Sequence, residues 1–259
     1  MSRELGRTRR SSLHFTAGPV FSISTGSEPW EEPESGDHLM GRQIADHQRV
    51  RSRRLAEVAI ACFGYFTVVL VLLHILRPDY TPIDHMISDY AVGRLGWVMT
   101  TAFVALSAGC LTLGLGMAMA GPRSVPGRAA VLLLWIATVG LLTTAIFPTD
   151  LETAATTTTG NVHTASFLVN VISMILCSLL FAVSFHQSDD WRSYRWTGLA
   201  LAIALLAAFI AQFLTLHRGA PYGLTNRLFV AVLMVWFVAT AAQLRRIAVL
   251  RQGALTAGT

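Results

Sequence analysis

Residues 96–120 read GWVMTTAFVALSAGCLTLGLGMAMA, an unbroken run without a single acidic or basic side chain. At 1.5 Å of rise per residue such a run measures roughly 37 Å as an α-helix, and about 20 apolar residues suffice to cross a hydrocarbon core about 30 Å thick. In lipid only helices and closed barrels satisfy every backbone group. The apolar character here is continuous and does not alternate, so a helix is expected. Five further segments share this character: Leu55–Leu76, Ala129–Phe147, Val162–Phe185, Trp196–Leu216 and Leu228–Leu250. Each has roughly 19 to 25 residues, which is span length.

Composition agrees with this reading. Hydrophobic residues make up 53% of the 259, charged residues 14%, and the mean hydropathy is +0.52. Soluble domains carry about 25% charged residues, so lipid is the expected solvent. Pro78, Pro82, Pro122, Pro126, Pro148 and Pro221 all fall between spans, where a missing N–H costs little. Cys62, Cys110 and Cys177 lie apart inside apolar segments with no CxxC pair, so neither a disulfide framework nor a thiolate metal site is expected.

The fold class is therefore all-α: a polytopic six-transmembrane-helix bundle over residues 55–250. Residues 1–54, rich in Arg, Ser, Glu, Pro and Gly, read as a disordered tail, and residues 251–259 as a short C-terminal tail. Met40, leading straight into the first span, reads as an alternative start. All 20 basic residues are arginine, and their placement sets the expected orientation. With both termini inside, Arg42, Arg49, Arg51, Arg53, Arg54, Arg123, Arg128, Arg192, Arg195, Arg245, Arg246 and Arg251 fall on the inner side. Only Arg77, Arg94, Arg218 and Arg227 fall outside. Twelve against four predicts cytoplasmic termini in a bacterial inner membrane.

That orientation gathers the distinctive polar residues on the outer face. The first loop supplies Asp84, His85, Ser88, Asp89, Tyr90 and Arg94; the second Asp150, Glu152 and His163; the third His217, Arg218, Asn226 and Arg227. Span 4 adds a stripe, His163, Ser166, Asn170, Ser173 and Cys177, at the 3-4-3-4 spacing of one helix face. Such a stripe either lines a cavity or joins helices by hydrogen bonds. Charges at span ends are cheap, so their concentration on one face, not their mere presence, points to a site.

Two sets of roles suit these residue types. His85, His163 and His217 with Asp150 could ligate a divalent metal such as zinc. Asp84 or Asp89 would then serve as base, with Ser88 or Arg94 holding a developing oxyanion. Alternatively Tyr90, Arg94, Arg218, Arg227 and Asn170 bind a lipid or a membrane-protein partner. On the bland reading, Ser88, Asp89 and Asp150 only cap turns. No G-x-S-x-G elbow surrounds Ser88. Three functions stay open: an accessory protein binding a lipid or protein partner, a metal-dependent lipid hydrolase, and a small transporter. Against the last, no charged residue lies deep in a span. The basic residues are placed by topology, so no nucleic-acid partner is expected.

Taken together, HMISDYAVGRLGW before span 2, GLLTTAIFPTD closing span 3 and TTTGNVH opening span 4 resemble a bacterial and archaeal membrane family, domain of unknown function 998. The resemblance spans roughly residues 55–250. It implies a six-helix architecture, carries no assigned reaction, and singles out His85, Ser88, Asp89, Tyr90, Gly93, Arg94, Gly96, Pro148, Asp150, Gly160 and His163. A looser similarity is to alkaline ceramidases and adiponectin receptors, whose zinc sites use three histidines. This chain departs from them in having six spans and no H-x3-H pair.

Overall fold

The computed structural model describes residues 36–151, 154–217 and 219–256, and the side chains of 36–39, 41–46 and 251–256 lie outside that description. Among these residues six α-helices follow one another: α1 Gly36–Leu76, α2 Gly96–Ala120, α3 Val125–Ile146, α4 Thr158–His186, α5 Arg195–Leu214 and α6 Tyr222–Thr256. Short 3-10 turns stand at Ile87–Ala91 and Asp189–Trp191. All six helices are long and apolar enough to cross a membrane.

The span expectations hold, with two corrections at the termini. Helix α1 starts at Gly36, so residues 36–54 are not an unstructured tail; residues 1–35 lie outside the described residues. Polar residues extend this helix because they lie beyond the apolar span, where water solvates the backbone ends, and Arg53 and Arg245 both meet Glu57, at 3.0 and 2.9 Å, tying its base to α6. Likewise α6 runs to Thr256, beyond the expected boundary at Leu250.

Local sequence explains the other helix ends. Ser124 caps α3, accepting from the Gly127 amide, with Pro126 in the first turn where no N–H is needed. Thr157 caps α4 by accepting from the Gly160 amide. Helix α2 begins directly beneath the first 3-10 turn. Leu95 adopts the left-handed region there, φ 65°, after Gly93 at φ 72°, and a side chain at Gly96 would strike the Ala91 carbonyl.

Each helix packs on the next, and α6 returns to pack on α1, so the six form a closed ring. Small residues set the close approaches. Gly109 of α2 leaves room for the Phe63 ring, which a Cβ would meet at 2.5 Å. On α5 the buried stripe is Gly198, Ala202, Leu205, Ala208 and Gln212. Leucine, isoleucine and valine remain exposed around the ring, among them Val68, Leu132, Val139, Ile172, Ile203 and Val235. Such a belt is expected where lipid is the solvent.

The two ends of the ring differ. Toward Trp191 the interior is plugged by aromatic rings in contact: Phe63 on Phe237 at 4.5 Å, Trp236 beside Phe181, and Phe185 stacked on Trp191 at 4.6 Å. Toward His85 the interior is hollow, and the loop 77–95 lies across it as a roof.

Candidate functional site

Two arginines build the roof. Arg77, 5% exposed, sits at the end of α1. It pairs with Asp79 at 2.8 Å and donates to the carbonyls of Val92, at 3.1 Å, and Arg94. The hydrogen bond to Arg77 holds the Asp79 carboxyl below its ordinary value, and the same bond raises Arg77. Arg227 reaches across from α6. Its Nε donates to His74 Nε2 at 2.6 Å, its Nη1 to the carbonyls of Pro82, His85 and Gly223, and its Nη2 to the Tyr90 hydroxyl at 3.3 Å. A guanidinium has five N–H groups in a fixed fork. Here that fork fastens α1, the roof and α6 together.

Neighbouring residues reinforce the fastening. Asn226 Oδ1 accepts from the Ile87 amide at 3.1 Å, and the Gly223 amide donates to the Ile83 carbonyl at 2.8 Å. Gly223 is required: a Cβ there would meet the carbonyls of His85, Ile83 and Pro82 at 2.5 to 2.7 Å.

The residues singled out from sequence take these places. Asp84 is exposed and accepts from the Thr81 hydroxyl at 2.9 Å. Buried Asp89 accepts from the Met86 amide at 2.8 Å, bracing the 3-10 turn. The His85 ring meets Tyr80 and the Thr81 hydroxyl, not Ser88, so no serine–histidine pair forms. Tyr90 is fully buried beneath Arg227, and Arg94 has an exposed side chain. Both Asp150 oxygens accept from Thr157, the amide at 2.7 Å and the hydroxyl at 2.8 Å. That carboxylate lies over Gly160 at the start of α4, a place any side chain at 160 would invade, and the positive end of the helix favours it there. His217 is exposed in the α5–α6 loop; Arg218 and Glu152 lie outside the described residues.

The expected metal ligands His85, Asp150, His163 and His217 are thus not brought together. Among the described residues no three of His, Cys, Asp and Glu gather closely enough to hold a metal ion. The physical reason is visible in their bonds: Asp150 is turned onto Thr157, and His163 Nδ1 onto the Phe147 carbonyl at 2.8 Å. The donors of Arg227 are likewise engaged, by carbonyls, His74 and Tyr90.

Beneath the roof lies a cavity of about 70 Å³. Apolar side chains make most of its wall, among them Phe66, Phe103, Leu106, Met174, Phe229 and Leu233. Five neutral polar residues join them: Ser88, Thr144, His163, Asn170 and Asn226. Ser88, Phe167 and Val230 are the half-exposed members of the wall, so the cavity opens where the roof meets α4 and α6. The predicted stripe on α4 is buried throughout, and it both lines the cavity and joins helices. Thr144 of α3 contacts the Ser166 hydroxyl at 2.9 Å and accepts from Asn170 Nδ2 at 3.1 Å. Asn170 Oδ1 fits the notch left by Gly140 of α3.

A family model described as protein of unknown function (DUF998) matches residues 60–243. The chain belongs to the DUF998 family. No curated protein and no solved structure matches it. In this DUF998 protein the matched region holds all the roof and cavity residues named above. Sequence reasoning missed His74, Thr144 and Gln212, and gave Asn226 no role. His74 sits in an apolar run that carries no motif, and Thr144 lies within GLLTTAIFPTD but is not among the positions singled out there. Gln212 of α5 is 1% exposed with neither amide atom partnered among the described residues, and a lone glutamine in a span gives no spacing signal.

Proposed function

We propose that this DUF998 protein is a non-enzymatic accessory protein of the bacterial cytoplasmic membrane that holds a membrane lipid at its extracytoplasmic face. The observation that carries the reading is the partly open, mainly apolar cavity under the roof. Ligand sites are concave and apolar, with a few polar groups that fix orientation, and this wall has that character. Of the residues that suggested catalysis or metal binding, Asp84 and Asp89 accept from donors within the roof and Asp150 from Thr157 at the start of α4, while Arg77 and Arg227 hold the roof through loop carbonyls. The excess of arginine at the Trp191 end argues for cytoplasmic termini, which puts the cavity in the outer half of the bilayer.

Val230→Trp tests the reading. Val230 lies half-exposed at the mouth, so an indole there blocks entry without overpacking the core. Lipids extracted from the purified wild type are expected to include a species near one per protein, recovered unaltered after incubation, that the variant lacks. An identical lipid complement in both proteins, or conversion of the bound lipid to a cleaved product by the wild type, sinks the proposal.

A further inference from the structure

The ring carries another cleft at its Trp191 end, between α2 and α3, with a volume of about 360 Å³. It shares no residue with the cavity under the roof. Arg123, in the turn between the two helices, and Arg128, in the first turn of α3, both line it, and both are exposed. Met117, Val131, Leu132 and Trp135 line the part that lies within the spans. Leu132 and Trp135 are 56% and 36% exposed, so the cleft opens sideways to the lipid belt. Trp135 stands midway along α3, about 10 Å of helix rise from Arg128, although tryptophan favours the membrane interfaces. Its indole lies in the notch left by Gly114 of α2, where a Cβ would meet Nε1 at 2.6 Å. Among the described residues no aspartate or glutamate lines the cleft, and neither arginine has an ion-pair partner. Arg123 also lines a neighbouring cleft of about 230 Å³ together with Arg49, and no carboxylate lines that one either.

We infer that this cleft binds an anionic phospholipid of the leaflet at the Trp191 end, the cytoplasmic leaflet on the orientation proposed above. The phosphate lies toward Arg123 and Arg128, and an acyl chain follows the apolar part toward Trp135. The site is separate from the lipid cavity under the roof and does not depend on it. Membrane topology by itself asks only for positive charge at this end. It does not ask for that charge to stand over a cleft open to lipid. Arg192 and Arg195 lie at the same end and line neither cleft, so they serve as the comparison. A zwitterionic head brings its own cation to the two arginines, which offsets the attraction. An anionic head does not, and each arginine near the surface then favours it by about fivefold. A free phosphate leaves the apolar part of the cleft unfilled, which is why the occupant is a lipid.

Native mass spectrometry of the full chain in detergent tests this with dioleoylphosphatidylglycerol and dioleoylphosphatidylcholine, which carry the same chains. The anionic lipid is expected to bind at least tenfold more tightly than the zwitterionic one. In the double variant Arg123→Gln, Arg128→Gln that preference should fall to about twofold or less, and in each single variant by about fivefold. The double variant Arg192→Gln, Arg195→Gln should keep it. Glycerol 1-phosphate, the head without its chains, should bind at least tenfold more weakly than the lipid. Thermal melting checks that each variant is folded, and the single variants stand in for a double variant that is not. Equal binding of the two lipids, or an unchanged preference in folded variants at Arg123 and Arg128, overturns the inference. So does an equal loss in the variant at Arg192 and Arg195, which would assign the preference to the charge of the whole end. Glycerol phosphate binding as tightly as the lipid would overturn it too, since the site would then take a soluble anion.

Discussion

At the scale of single residues, the polar groups of the His85 end are explained by what they hold. Asp79 shows how far electrostatics can be followed. Its carboxyl lies below the ordinary 3.8 because Arg77 donates to it. A depressed carboxylate contributes stability above its unfolded value and loses it as pH falls through the folded one. Arg77 is protonated in both states over this range and adds no pH dependence of its own. The stability difference between wild type and Asp79→Asn, measured by thermal melting in detergent, should therefore be constant from pH 7 to about 5 and shrink below about 3.8. A difference that stays level down to the folded value would mean the pair contributes nothing. Asp150 and Gly160 make a second case. Both were legible as motif positions, yet only the packing reveals that the glycine exists to admit the carboxylate.

At the scale of elements, the roof depends on α6. Arg227 and Asn226 are adjacent, and between them they bind the carbonyls of Pro82 and His85 and the amide of Ile87. Hydrogen bonds from a charged donor are worth about 1.5–3 kcal/mol each, and a buried acceptor left without its partner costs about 1–3 kcal/mol. Arg227→Met keeps the apolar stem and removes every donor. Amide hydrogen exchange should then accelerate at Ile87 and Gly223, by at least tenfold, while amides in the middle of α2 and α3 keep wild-type rates. Uniform acceleration across all helices would show a general loss of stability instead of release of the roof. The apolar period that marked α6 as a span could not disclose this role. Periodicity reports which face is greasy, and the fastening residues lie in the first two turns of the helix, before the apolar run at Leu228 begins.

At the scale of the whole molecule, the ring joins one closed end to one hollow end. The aromatic plug around Phe181, Phe185 and Trp191 fixes the closed end, and the cavity occupies the other. The orientation of this asymmetry is open to direct measurement. A cysteine introduced at Ala155, in the exposed α3–α4 loop, should react with a membrane-impermeant maleimide in intact cells. One at Ser188, before the 3-10 turn of Asp189–Trp191, should react only after the membrane is permeabilised. The opposite labelling pattern would reverse the placement of the cavity and remove the outer-leaflet reading.

The sequence by itself determined the six spans, most of their boundaries and the gathering of polar residues at one end, because these follow from local quantities. The length of an apolar run compares directly with bilayer thickness, and successive crossings alternate the loops between sides. Only the tertiary structure decided what the gathered residues do. Whether His163 meets a metal, a base or a carbonyl depends on the angle and register at which α3 and α4 pack, which no local pattern encodes. The same packing turns Asp150 onto Thr157, Arg227 onto the roof and Asn226 toward the cavity. A hydrogen bond is directional over a few tenths of an ångström, and that precision arises only when all six helices close the ring.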